Sequence, residues 1–249
     1  MTKPTSLLRA FVLGLLLLPF AASASEGEGM ESAGIDLGDK ASLQHGAGLY
    51  MSYCSGCHAL SYQRYSRVAE DLNLSNELVE QNLIPNGQKI GETIDTGMDP
   101  ADGLAFFGKA PPDLSVEARA KAQGADWIYN YLKSFYIDPS RPAGWNNTVF
   151  PNASMPNALW ELQGLQVAVK HPAEEGHEAG VEKLELKTPG RLDAAQYDQA
   201  VRDITAFLQY AGEPAALQRE SIGVWVLLYL ALFTFITWLL KHEYWKDVH

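Results

Sequence analysis

The sequence predicts a mainly α-helical protein: one extramembrane domain with long loops and a small β-hairpin, then a single C-terminal transmembrane helix. Three observations carry this. Several segments place apolar residues at helical spacing. Ile222 to Leu240 is a run of 19 residues without a charge. The stretch from Asp138 to Leu159 is rich in Pro, Gly and Asn, the residues of turns and loops. The chain of 249 residues has a formal net charge of −11, which argues against nucleic acid as a partner, because phosphate binding needs clustered Lys and Arg. An acidic surface attracts a basic protein instead.

The N-terminus reads MTKPTSLLRAFVLGLLLLPFAASASEGEG. Lys3 and Arg9 precede an apolar run from Ala10 to Phe20, and Ala22-Ser23-Ala24 supplies a small-residue cleavage site. The run is too short to cross a hydrocarbon core of roughly 30 Å. Residues 1–24 therefore read as a signal peptide of a bacterial exported protein, in preference to an uncleaved anchor or an Arg-rich mitochondrial presequence. Residues 25–220 form the exported domain.

Within that domain Leu43, Ala47 and Tyr50 stand at helical spacing and lead into Tyr53-Cys54-Ser55-Gly56-Cys57-His58. A second helix is expected over Asp126 to Tyr136, capped by Asp126 and stopped by Asp138-Pro139. After the loop-rich segment, Leu165, Val167 and Val169 alternate with polar or small residues, and Val181, Leu184 and Leu186 nearly do. These two stretches pair as a hairpin across HPAEEGHEAG. The clearest helix is DAAQYDQAVRDITAFLQYAGEP: Asp193 caps it, Tyr197, Val201, Ile204, Leu208 and Ala211 form its stripe, and Gly212 and Pro214 close it. Residues 221–240 then span the bilayer, with Trp225, Trp238, Tyr244 and Trp245 towards the interfaces. Export of the domain leaves residues 241–249 as a short cytoplasmic tail.

The chain has two cysteines, and both lie in Cys54-Ser55-Gly56-Cys57-His58. This is the C-x-x-C-H pattern of covalent c-type haem attachment. Two thiols at this spacing reach the two vinyl groups on one porphyrin edge, and the imidazole that follows falls beneath the iron as an axial ligand. A structural zinc site needs further ligands that no second cysteine pair supplies. A thioredoxin-like pair needs a βαβ context, and a plain disulfide leaves His58 unexplained. For the sixth ligand, Met30 lies in a polar leader and Met51 is too close to the motif. Met155, held between Pro151 and Pro156, is favoured over Met98, which lies among aspartates. His45, His171 and His177 are the bis-histidine rivals.

The segments CSGCHALSYQRY, APPDLSVEARAK, RPAGWNN and FPNASMP, with the AFLQYAGEP helix and the C-terminal anchor, together resemble the cytochrome c1 family. These are the haem-bearing subunits of quinol–cytochrome c oxidoreductase (bc1) complexes. The resemblance runs from about residue 36 to the C-terminus and implies a class I cytochrome c-like domain with one covalently bound haem c. It implies that Cys54 and Cys57 carry the thioethers, that His58 and Met155 bind iron, and that Pro111 and Pro112 line the pocket. Arg119 and Lys121 fall where the family carries two arginines, the second near a haem propionate. Lys121 keeps the charge without the planar fork of donors.

The implied role is an electron carrier rather than an enzyme by itself. It would accept electrons one at a time from a Rieske iron–sulfur protein and pass them to a soluble or tethered cytochrome c. Cytochrome b and membrane lipid are the further partners implied, in a dimeric complex. The setting is the bacterial inner membrane with the haem domain in the periplasm, and Glu70, Asp71 and Glu77 are candidates to steer a basic partner. Two other classes remain: a gas- or peroxide-binding haem protein, which would lack a fixed methionine, and a monohaem subunit of a terminal oxidase or nitric oxide reductase, which would be held by an N-terminal span.

Overall fold

The computed structural model describes residues 29–85, 87–170 and 180–247. The expected signal peptide, residues 1–24, and two of the rival ligands, His171 and His177, lie outside the described residues. Nearly all of what is described belongs to one compact unit, Glu31–His249.

Helix α1, Lys40–Tyr53, begins at Asp39, whose carboxylate accepts from the amides of Ala41 and Ser42, and runs directly into the cysteine motif. Strand β1, Leu60–Arg64, pairs antiparallel with β2, Thr93–Ile94. Between them lie two short helices, α2 (Tyr65–Asp71) and α3 (Asn76–Asn82). Helix α4, Pro100–Phe107, starts with proline at N1 behind an Asp99 cap and ends on Gly108 at φ 74°. A four-residue helix α5 (Glu117–Ala120) and then α6 (Ala125–Lys133) follow.

Helix α6 is shorter than the sequence suggests. It begins after Gly124, and Asp126 lies inside its first turn, where the carboxylate accepts from the amide of Ala33 rather than capping its own helix. Phe135–Ile137 leaves the helix as strand β3 and pairs antiparallel with β4, Trp145–Asn147. The apolar run of Phe135, Tyr136 and Ile137 satisfies either period over so few residues, and the ladder with β4 decides it.

Helix α7 (Trp160–Gln163) precedes β5 (Gly164–Lys170), which pairs antiparallel with β6 (Val181–Pro189). Helix α8, Ala194–Gly212, carries the capping box that Asp193 and Gln196 form at its start. Helix α9, Ala216–Tyr244, extends past the expected 221–240 span at both ends. Its apolar portion, Ile222–Tyr244, has no buried residue. At 1.5 Å per residue those residues reach about 35 Å, enough to cross a hydrocarbon core.

The core forms where α1 crosses α8. Leu43, Ala47 and Tyr50 of α1 meet Val201, Ile204 and Phe207 of α8, all fully buried. The crossing is close: a β-carbon at Gly46 would stand 2.0 Å from the Asp203 carbonyl oxygen and 3.0 Å from Phe207 Cβ. Above it His45 Nδ1 lies 2.6 Å from Asp203 Oδ2, and Ser42 Oγ donates to Asp203 Oδ1 at 2.6 Å. Helix α1 is thereby held against the longest core helix along its first half, and the Tyr50 ring against Phe207 holds the end from which the cysteine motif emerges.

Candidate functional site

The motif leaves α1 as a tight turn. The amides of Cys54 and Ser55 both donate to the Tyr50 carbonyl, and those of Cys57 and His58 donate to the Cys54 carbonyl at 3.0 and 2.9 Å. Tyr50, buried against Phe207, donates its hydroxyl to the His58 carbonyl at 2.6 Å. Both thiols are unpaired. Burial pushes the Cys54 thiol up to about 12, with the neighbouring Cys57 adding to the shift, and burial raises Cys57 as well. Among the described residues no three His, Cys, Asp or Glu side chains converge as a metal cluster.

A second strand of chain runs beside the motif and orients its histidine. The Leu114 amide donates to the Ala59 carbonyl, and Asp113 accepts from the Ser61 and Ser115 amides. Burial alone would raise the Asp113 carboxyl, but the bonds from Ser115 and Ser61 outweigh it and hold it below its ordinary value. The strap so fixed presents the Pro112 carbonyl 2.7 Å from His58 Nδ1. Nδ1 therefore carries the proton and Nε2 keeps its lone pair for a ligand bond. Burial lowers the His58 pKa, which keeps the imidazole neutral. On the strap's other side Gly103 of α4 lies against Pro111: a β-carbon there would meet Pro111 Cδ at 2.6 Å.

Facing His58 is the loop that carries Met155. Its shape is set by buried asparagines. Asn147 Oδ1 accepts from the amides of Val149 and Phe150, and Asn146 Oδ1 accepts from the Asn152 amide at 2.8 Å. Asn157 donates to Gln163 at 2.7 Å and accepts from the Leu159 amide. The loop is thus stitched at both ends although it holds no regular structure.

Between the strap, the motif and this loop lies a cleft with two lobes of about 570 and 980 Å³. Cys54, His58, Pro112 and Met155 border both lobes, while Cys57 and Pro111 border the smaller. An imidazole nitrogen with a free lone pair, a thioether sulfur and two thiols share one largely apolar cavity, the donor set that a c-type haem requires. Lys121 borders the larger lobe; its ammonium bonds Glu117 at 3.1 Å and stands 4.1 Å from the centre of the Trp127 ring. Arg119 stands outside the cleft, exposed, with its stem against Gly212.

The rival ligands fall elsewhere. Met98 packs beside Gly103 and borders neither lobe, and His45 is engaged by Asp203. Asp71 does not face solvent as a steering group. Its carboxylate accepts from Arg67 at 2.6 Å and from Tyr210 at 2.9 Å, and only 9% of the side chain is exposed. Glu70 and Glu77 are exposed.

Sequence reading passed over one wall of the cleft. Trp127 and Tyr131 stand four apart on α6, a single helix face, and their rings stack at 4.8 Å and 11°. Tyr131 donates its hydroxyl to Met155 Sδ at 3.6 Å. Burial pushes the Tyr131 phenol up to about 12, so it keeps its proton at neutral pH. The i, i+4 aromatic pair was visible in DWIYNYLK, but the same spacing also serves an ordinary core face.

Residues 35–248 match the Cytochrome C1 family. The chain is 50% identical to a cytochrome c1 of Allochromatium vinosum over 94% of its own length and 96% of the relative's. It is 40% identical to a Nitrosomonas europaea protein named ammonia monooxygenase gamma subunit, over 98% and 99%. It is 24% identical to a Bradyrhizobium diazoefficiens protein named cytochrome b/c1, over 85% of this chain and 34% of that one.

Proposed function

The chain belongs to the cytochrome c1 family, and on that premise we propose that it is the membrane-anchored, monohaem electron-transfer subunit of a bacterial bc1 complex. In that role it takes electrons singly from the Rieske iron–sulfur protein and hands them to a cytochrome c. It is a haem c protein and an electron-transfer subunit, not by itself an enzyme. Haem c supplies a one-electron ferric/ferrous couple when bound.

The observation that carries this reading is that His58 and Met155 border one cleft whose margin holds both cysteines. Cys54 and Cys57 would form the thioethers, and His58 Nε2 and Met155 Sδ would hold the iron. The Pro112 carbonyl fixes the imidazole tautomer and raises its donor strength. The asparagine-stitched loop holds the thioether at one place, so that little rearranges on electron transfer. A sulfur ligand favours the reduced form and raises the potential relative to two histidines. Pro111 and Pro112 wall the pocket, and Lys121 is the better placed of the two cationic candidates for a propionate.

The proposed organisation is a signal peptide at 1–24, a periplasmic class I cytochrome c-like domain at 25–220 with the β5–β6 ladder as an insert, a transmembrane helix at 221–240 and a cytoplasmic tail at 241–249. The uncovered apolar stretch of α9 supports the anchor. Cytochrome b is the neighbour within the membrane, and the complex is a dimer.

Purification from detergent-solubilised membranes tests the assignment. Cytochrome b and a Rieske protein should co-purify with the chain in equal amounts. Co-purification with ammonia monooxygenase subunits instead, the assembly named for the Nitrosomonas europaea relative, would overturn it.

A further inference from the structure

We propose that Tyr131 is a positioning residue for the Met155 sulfur, and that its hydroxyl tunes the sulfur's bond to iron. The inference rests on the reading of Met155 as the axial ligand. A thioether sulfur has two lone pairs. If one faces the iron, the other is free, and Tyr131 Oη lies 3.6 Å from that atom in donor geometry.

The phenol is held from several sides. Its ring stacks on Trp127 and meets Phe135 edge-on at 4.9 Å and 67°. The Asn147 side chain, which also shapes the methionine loop, donates to the Tyr131 carbonyl at 2.8 Å. One asparagine thus ties the donor's backbone and the acceptor's loop together. The Lys121 ammonium lies 4.1 Å from the Trp127 ring centre and is itself paired with Glu117.

A donor on the second lone pair draws electron density from sulfur. It weakens sulfur's donation to ferric iron more than to ferrous iron, so the bond raises the potential. It also selects one orientation of a flexible side chain.

The test uses the full-length, haem-loaded chain with three substitutions: Tyr131→Phe, Trp127→Phe and Met155→Leu. Two quantities are read, the weak far-red absorption of the oxidised form and the midpoint potential. Met155→Leu should abolish the far-red band. Tyr131→Phe keeps the ring and should keep haem content and the band, but shift the band and lower the potential. Trp127→Phe keeps an aromatic surface against Tyr131 and its hydroxyl in place, and should move both values less than Tyr131→Phe does. If the band vanishes in Met155→Leu yet Tyr131→Phe changes nothing, the role of Tyr131 is refuted and Met155 stands. If Trp127→Phe reproduces the Tyr131→Phe shift, wall packing rather than the hydroxyl is responsible and the proposal fails. If the band survives Met155→Leu, the ligand assignment falls first and this inference with it.

Discussion

In the proposed ligation a single sulfur, that of Met155, closes the haem site. With Met155 in place, the reduced protein is expected to bind no carbon monoxide, and Met155→Ala should open the sixth position and shift the reduced spectrum when the gas is added. Strong binding by the unaltered chain would point to a sensor or peroxidase instead. A second residue-scale prediction concerns Asp198, which accepts from Lys133 and Arg202, each at 2.7 Å, and from the Tyr129 hydroxyl. Burial by itself raises this carboxyl, but the bonds from Lys133, Tyr129 and Arg202 hold it far below its ordinary value. A folded pKa below the unfolded one means stabilisation that is complete above about pH 4 and fades as pH falls further. Asp198→Asn should therefore cost about 1 kcal/mol at neutral pH, a modest figure because solvent screens the cluster. It should also flatten the acid limb of a stability–pH curve, and parallel curves for the two proteins would refute the clamp. The motif stands out at this scale because two thiols and an adjoining imidazole occur together once in the chain, whereas Met155 stands out only as a methionine held between two prolines. Tyr131 does not, because an aromatic four residues from another aromatic has no unique meaning until the loop opposite is in place.

Among the elements, α1 and α8 matter most for the site. Their contact at Gly46 leaves no room for a side chain. Gly46→Ala should cost on the order of 1–3 kcal/mol through overpacking, read as a lower thermal midpoint of the haem-loaded protein. An unchanged midpoint would mean that the helices do not cross there. Helix α8 was readable from sequence down to its cap, since Asp193, the apolar stripe and Gly212-Glu213-Pro214 all agree. The glycine of α1 reads as a weakness in a helix and only the partner helix turns it into a contact. Phe135–Ile137 went to a strand because β4 offered it a ladder, a tertiary event beyond the reach of local propensity. The methionine loop resisted reading for the same reason, its order coming from side chains of Asn146, Asn147 and Asn157 rather than from any periodicity.

At the level of the molecule, the formal charge of −11 and the exposure of Glu70, Glu77 and Glu80 bear on encounter. Electron transfer to a basic cytochrome c should slow by about tenfold or more between low and high ionic strength. A rate indifferent to salt would remove electrostatic steering from the account. The apolar C-terminal helix and the charge were plain from the sequence, because both are properties of composition over a window and need no folded partner. The two sides of the cleft are another matter. His58 lies next to Cys57, whereas Met155 arrives on a distant loop, and only the complete tertiary structure brings them to one cavity. Thioethers would tether the imidazole's side of the cofactor even in an unravelled chain, while nothing but the folded architecture returns the sulfur. The colour of the oxidised protein is thus a built-in gauge of integrity: under denaturant the far-red signature should fade with the melting of the loop, and the pigment itself should remain with the polypeptide to the end.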